Sequence, residues 1–304
     1  MDKQYIDTVR LLLEVAPRVF RNSRFAMKGG TALNLFVRNL PRLSVDIDVV
    51  FVEHTMPREA ALAEIASSLS QLVGELKGSG LSARTLSTQE GEEAKILVGK
   101  DKAQVKVEVN YNFRGTLLPV EKRPIVAEAG ELFSVEVNLP VLGEDELYGS
   151  KMVAALDRQH PRDLFDIREI LAANGLGEGV VDCFVCYLAG HSRPIHEVLF
   201  STDQPLDLAY EGEFLGLTRE SVSLDELKEA RSHLRACLAN ALELRHRDFL
   251  LSVARAEPEW SLMPFEHLAE LPALRWKQEN LRKLKKTNPE KFRKQADELL
   301  KRLG

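Results

Sequence analysis

Apolar and polar residues recur along this chain with two periods, and the change from one to the other divides it. At helical spacing, Ile6, Val9, Leu12 or Leu13, and Val19 predict a helix over 3–22. Leu33, Phe36, Val37 and Leu40 form a second stripe, which Pro41 stops. The run from Ser44 to Phe51 then alternates with period two and predicts a strand over 45–52. A helix over 57–77 follows, broken at Gly78-Ser79-Gly80. Strands are expected at 94–99 and 104–111, paired antiparallel because only a short turn separates them, and a further one at 133–138. From residue 143 onward the period stays helical, with segments at 144–158, 162–173, 179–189, 206–215, 223–256, 270–285 and 289–302. Proline and glycine clusters at 190–205 and 257–264 mark joints. The pattern predicts an α+β fold, a lobe with a small mixed sheet flanked by helices followed by an all-helical lobe. As domains, we expect a core over 1–200 and a helical lobe with a basic tail over 201–304.

Composition excludes several classes. With 304 residues, 44% hydrophobic and 29% charged, the chain reads as an ordinary globular protein. No uncharged apolar run approaches the roughly 18 residues needed to cross a bilayer, so no membrane association is expected. No signal-peptide core follows Met1-Asp2-Lys3-Gln4-Tyr5. Three cysteines, an odd number, argue for a reducing compartment, and a cytoplasmic location is expected. Cys183, Cys186, His191 and His196 come close to a zinc-knuckle spacing. Tyr187-Leu188 occupies the place of the tight turn a knuckle needs, so we expect buried helix and no zinc. The net charge of −5 is uneven: residues 275–304 carry 11 Lys/Arg against four Asp/Glu, a local +7, leaving −12 elsewhere. Such a tail is either a solvated helical face or a contact surface for nucleic-acid phosphates.

Candidate chemistry concentrates on the alternating strands. On a strand over 45–52, Asp46 and Asp48 share one face, and a divalent cation would relieve their repulsion. Hard oxygen ligands favour magnesium or manganese. In Val105-Lys106-Val107-Glu108-Val109-Asn110, Glu108 falls on the polar face. If the two strands are neighbours, three carboxylates suit a two-metal, in-line displacement at phosphorus; otherwise they are ordinary acids on an exposed face. Upstream, Gly29-Gly30-Thr31 opens a helix, where glycines let backbone approach phosphates and Thr31 adds a hydroxyl donor. Lys151 lies inside the apolar arc of Leu147, Tyr148, Met152, Ala155 and Leu156, so it either snorkels or meets an anion such as nucleotide phosphate. Pro161 and Asp163 are good helix-start residues. Asp166, one turn later, could accept the proton of an attacking hydroxyl or pair with Arg162 or Arg158.

Taken together, the stretches Phe25–Leu33, Arg42–Asp48, the strand of Glu108, Glu146–Arg158 and Arg162–Asp166 resemble the AbiEii/AbiGii toxin family. The motifs run in the family's order over about residues 20–175; beyond, the likeness is only that of a helical lobe. The resemblance implies a DNA-polymerase-β-like nucleotidyltransferase fold, shared with the abortive-infection toxins of AbiE systems and the mycobacterial MenT toxins. It implies that Gly30 and Thr31 contact nucleotide phosphates, Asp46 and Asp48 hold the metal, and Lys151 binds the triphosphate. Asp166, alone or with Asp163, would be the late catalytic acid, and Arg114 a phosphate contact. The implied activity is metal-dependent transfer of a nucleoside monophosphate from an NTP to RNA, with the tRNA 3′ end as expected acceptor. An antitoxin is the implied partner, often a winged-helix AbiEi-type protein. Which NTP and which RNA do not follow from membership. Three alternatives remain: transfer to a protein or small molecule, a glycosyltransferase using its Asp-x-Asp, and a non-catalytic binding partner. The Gly-Gly-Thr segment argues against the second, and the intact acids against the third.

Overall fold

A computed structural model describes residues 1–86, 93–111 and 113–304. They form two compact units, Met1–Leu147 with Leu215–Ser221, and Tyr148–Phe214 with Val222–Gly304. The fold class is α+β, as the two periods predict.

In the first unit the described strands are β1 (Phe25–Lys28), β2 (Asp46–Phe51), β3 (Ser82–Leu86), β4 (Glu93–Lys100), β5 (Ala103–Asn110), β6 (Glu121–Pro124) and β7 (Asn138–Val141). They make one sheet in the order β3-β4-β5-β2-β1-β7-β6. The β2–β5 and β1–β7 pairs are parallel and the others antiparallel, so the sheet is mixed. The expected β4–β5 hairpin is present, turning at Asp101-Lys102 with Asp101 in the left-handed region (φ 54°). Helices α1 (Lys3–Val19), α2 (Gly29–Ala32, widened into a π-type turn over Leu33–Val37), α3 (Arg58–Gly78) and α4 (Ala127–Phe133) complete this unit. Register across the two central strands puts Ile47 level with Val107 and Val49 with Val109, and these four, with Phe51 and Val105, are fully buried. Helix α1 packs on β5 and β2, and α3 on β3 and β4. Each such side chain contributes roughly 1.5–3 kcal/mol, which fixes the register of the acids on the opposite face.

The strand expected at 133–138 is displaced. Helix α4 runs to Phe133, Ser134 turns the chain in the left-handed region (φ 52°), and β7 starts at Asn138. The sequence pattern also passes over β1, β3 and β6. β1 is covered on both faces and reads as a plain apolar run, whereas β6 is a polar edge strand ending in Pro124.

The second unit is helical: most of α5 (Glu144–Asp157), then α6 (Pro161–Asn174), α7 (Glu178–Ala189), α8 (Ile195–Leu199), α9 (Asp207–Ala209, continued by a π-type turn over Tyr210–Phe214), α10 (Leu224–Ala241), α11 (Leu244–Ala254), α12 (Pro272–Thr287) and α13 (Pro289–Leu303). The single helix expected over 223–256 is two. Ser223 and Glu226 form a capping box at the start of α10, and Glu243 and His246 do the same for α11. Gly149 on α5 lets α7 approach closely, because a β-carbon there would lie 2.8 Å from Cys183 Cβ. Cys183 and Cys186 are buried thiols on α7. No helix among the described residues is long and apolar enough to cross a membrane.

Candidate active site

The first unit brings the glycine turn and the acidic strand together through β-ladder register. Lys28, the last residue of β1, lies opposite Asp48 on β2. Asp48 lies opposite Glu108 on β5, and Glu108 opposite Lys95 on β4. Partners in register share a face, so Lys28, Asp48, Glu108 and Lys95 form one row across four strands. Asp46 stands two residues along β2, opposite Lys106. Asp46, Asp48 and Glu108 are half-buried. This face therefore carries three carboxylates and three ammonium groups, and the repulsion inferred from Asp46 and Asp48 alone is moderated by lysines. Lys95 Nζ is 3.2 Å from Glu108 Oε1. The sequence signal for that pair was available: once Asp101-Lys102 is recognised as the hairpin turn, Lys100 opposite Ala103 dictates Lys95 opposite Glu108.

Gly29 is required by its backbone and by what lies against it, and Gly30 packs tightly on side-chain ends. Gly29 is in the left-handed region (φ 73°), and a β-carbon on it would sit 2.8 Å from Asp48 Cγ. On Gly30 it would sit 2.9 Å from Arg42 Nη2 and 3.0 Å from Ser44 Oγ. The turn thus folds onto the side chains of the aspartate segment, with the Asp48 carboxylate in the space a larger residue would fill. Thr31 is fully buried, and its hydroxyl bonds Ser44 Oγ (2.9 Å) and the Asp46 carbonyl. It ties the turn to the strand from inside, a different task from donating to phosphate. Arg42, buried beside the turn, donates to the Leu43 carbonyl at 2.9 Å.

Arg114 is also committed to backbone. It donates to the Tyr111 carbonyl (3.2 Å) and the Met56 carbonyl (3.5 Å). Burial and then the nearby Arg58 charge pull its guanidinium below the usual arginine range. Glu146, which the pattern did not single out, is fully buried and accepts from the Leu117 and Leu118 N–H groups at 2.8 and 3.0 Å. It fixes the loop that follows Arg114.

The late residues assemble in the second unit. Lys151 on α5 reaches Asp163 Oδ1 (3.1 Å) and Asp166 Oδ2 (2.9 Å) on α6. Arg158 adds a fork to Asp163, with Nε on Oδ2 and Nη2 on Oδ1 at 2.9 Å. Lys151, Asp163 and Asp166 are buried while the Arg158 side chain is 63% exposed. Although burial alone would raise it, the charges of Lys151 and Arg158 hold the Asp163 carboxyl far below the usual carboxylate range. The anion that Lys151 meets here is thus a pair of carboxylates, and Asp163 is the one that takes Arg158. Gly29, Gly30, Thr31, Asp46, Asp48 and Glu108 form one set in the first unit; Lys151, Asp163 and Asp166 form another in the second.

Comparison with known proteins adds an independent line. No curated protein matches the sequence significantly. Among solved structures, MenT4, a nucleotidyltransferase toxin from Mycobacterium tuberculosis H37Rv, has a similar fold, with TM-score 0.55 and 19% identity over 82% of this chain and 94% of that chain. At that identity the likeness speaks for the fold alone. A family model described as nucleotidyl transferase AbiEii toxin, type IV toxin–antitoxin system, matches residues 10–285, a span that includes both sets of candidate residues. This chain belongs to the AbiEii family of nucleotidyltransferase toxins from type IV toxin–antitoxin systems.

Proposed function

We propose that this toxin moves a nucleoside monophosphate from an NTP to an RNA hydroxyl, with the tRNA 3′ end as acceptor, and that the transfer needs a divalent cation of the magnesium class. The observation that carries this reading is the packing of the Asp48 carboxylate into the space left by Gly29, with Asp46 on the same face of β2. Two half-buried carboxylates offer hard oxygens, and phosphate oxygens and water complete such a shell. Among the described residues no group of three or more acids, histidines or cysteines is arranged to hold a metal. The donor set is therefore Asp46 and Asp48, with Glu108 joining only by exchanging Lys95. When bound, the ion would neutralise charge on the phosphates and polarise the phosphorus under attack.

The chain's own residues supply the rest. Backbone at Gly29 and Gly30 passes close to where the phosphates of an NTP on Asp46 and Asp48 would lie. Lys28 and Lys106 border the acids and would meet phosphate charge. The acceptor hydroxyl oxygen bonds to the α-phosphorus, the bond to the bridging oxygen breaks, and pyrophosphate leaves. Glu108, beside Asp48, serves as acceptor of the hydroxyl proton only once parted from Lys95. Lys151 serves a triphosphate only by exchanging Asp163 and Asp166, and Asp166 serves as a base only once parted from Lys151. Thr31 and Arg114 shape the site from behind.

As a family member the toxin has an antitoxin, for which we propose an AbiEi-type protein. Incubation with each labelled NTP, magnesium and total RNA tests the enzymatic reading. Label is expected in tRNA and should vanish in Asp48→Ala. Label in protein or a metabolite would redirect the acceptor, and no transfer with any divalent ion would refute the proposal.

A further inference from the structure

The second unit contains a pocket lined by none of the candidate site residues. It has a volume of about 270 Å³ and an apolar floor that includes Leu199, Leu238 and Leu242. Arg235, Arg247 and Arg302 stand around it, and no carboxylate lines it. Arg302 lies over the Phe200 ring, 5.6 Å from its centroid, and Phe200 is itself part of the wall. The charges around the pocket do not cancel. Asp203 is shared by Arg231 (2.8 Å) and Arg235 (2.6 Å), and Glu298 pairs with Arg302 at 2.6 Å. Arg247 has no carboxylate partner among the described residues. It donates to the backbone carbonyls of Leu242 (3.0 Å), Leu303 (2.7 Å) and Ala239 (3.5 Å). Of the three guanidiniums that line the cavity, Arg235 and Arg302 are paired with Asp203 and Glu298, which leaves a surplus of one positive charge on Arg247. Arg235 Nε is buried and lacks a hydrogen-bond partner.

We infer that this pocket receives one nucleotide of the single-stranded part of the acceptor RNA, its base on the apolar floor against Phe200 and its flanking phosphates on the arginines. The inference rests on the RNA-acceptor reading and adds a place for the acceptor. Three observations favour this occupant. Bases in unpaired RNA are recognised by stacking on aromatic rings and guanidinium planes, and the wall offers both. The volume lies just below the usual range of ligand pockets, too small for a long chain and of the order of one base. A surplus of one charge matches one phosphodiester, whereas a free triphosphate would overcompensate it. Arg302 also belongs to the basic segment 275–304, whose +7 lies on α12 and α13 and would attract the rest of the strand.

Fluorescence anisotropy of the full-length protein with a labelled eight-nucleotide single-stranded RNA, without NTP, tests this at several salt concentrations. R302Q is the principal variant, because Arg302 is 44% exposed and bonds mainly to Glu298 one turn away. R302Q should weaken binding about tenfold and flatten the salt dependence by roughly 0.7 in the log–log slope, as one lost phosphate contact on a single strand requires. R302K should restore the slope and only part of the affinity, since an ammonium keeps the charge and loses the planar stack. Photocrosslinking with 5-iodouridine in the same RNA should label Phe200. Wild-type affinity and slope in R302Q, with an unchanged melting temperature, would overturn the inference. So would intact RNA binding combined with lost neutralisation by the antitoxin, which would assign the pocket to a protein partner. Because the readout needs no catalysis, RNA binding that depends on Arg302 in a protein that transfers no label to RNA would uphold the pocket and refute the reading of RNA as acceptor.

Discussion

On the sheet of the first unit Asp46, Asp48 and Glu108 stay half-exposed, with Lys28, Lys95 and Lys106 spread across the same face; in the helical unit Asp163 and Asp166 are buried around a single lysine. The helical cluster is closed. Lys151 touches both acids, Arg158 forks onto one of them, and two positive charges meet two negative ones within hydrogen-bond distance. Lys151, Asp163 and Asp166 have given up water and depend on one another, while Arg158 reaches in from the surface. On the sheet, charge is balanced by rows of side chains across strands, solvent still reaches the acids, and Gly29 makes the room that the Asp48 carboxylate occupies. Carboxylate proximity alone therefore does not mark a cation site. Access to solvent distinguishes a group of acids that can take an ion from one that already holds its counter-ions.

The largest effect expected from this contrast is on stability. Lys151→Met leaves two buried carboxylates without their shared cation and should cost about 3–5 kcal/mol in urea denaturation. A loss under about 1 kcal/mol would mean that the cluster is open to water, like the sheet face. Gly29→Ala comes next, since a side chain there meets Asp48 and left-handed backbone costs an L-residue about 1–2 kcal/mol. Nucleotidyl transfer should fall about a hundredfold if the Asp48 position matters to the reaction.

The pH dependence of Asp163 has a defined sign. Its folded carboxyl titrates well below its unfolded one, so the folded state binds fewer protons through that interval and stability rises with pH. The contribution is complete above the ordinary carboxylate value near 3.8 and is lost as pH falls towards the folded value. The gap in stability between wild type and Asp163→Asn should accordingly be widest at neutral pH and narrow progressively below about pH 4. A gap independent of pH would show that Asp163 contributes through packing alone.

Thr31→Val removes a buried hydroxyl that joins turn to strand, and should cost about 1–2 kcal/mol. If KM for the NTP rises tenfold instead, with stability unchanged, Thr31 is a phosphate donor after all. The smallest effect is expected from Lys95→Met, below about 1 kcal/mol because the pair is about a quarter exposed. By freeing Glu108 it should tighten divalent-cation binding a few-fold.

Much of the architecture was legible wherever one period ran for several turns. The valines of 105–109 and the apolar residues between the aspartates identified both central strands, and helices α5, α6, α7, α12 and α13 lie within two residues of their predicted spans. Short elements were hidden. β1 has four residues with Lys28 alone to mark its polar face, α8 has five, and the break between α10 and α11 at Leu242 involves neither proline nor glycine. At the site, the residue types were legible and their partners were not. Alternation placed Glu108 on the polar face, but its neighbour Lys95 follows only from the hairpin register. The apolar arc around Lys151 marked it as anomalous, yet spacing along one helix cannot show that the anion it meets sits on the next. Thr31 looked like a ligand donor because nothing in a linear pattern reveals the Asp46 carbonyl behind it.

The central claim is that Asp46 and Asp48 together hold a divalent cation beneath a docked NTP. Manganese binding followed by electron paramagnetic resonance, with a non-hydrolysable NTP analogue present, tests it most directly. The account predicts saturable binding in the wild-type protein that falls at least tenfold in Asp48→Asn and is unaffected in the surface variant Lys301→Ala. Equal manganese affinity in wild type and Asp48→Asn would contradict it.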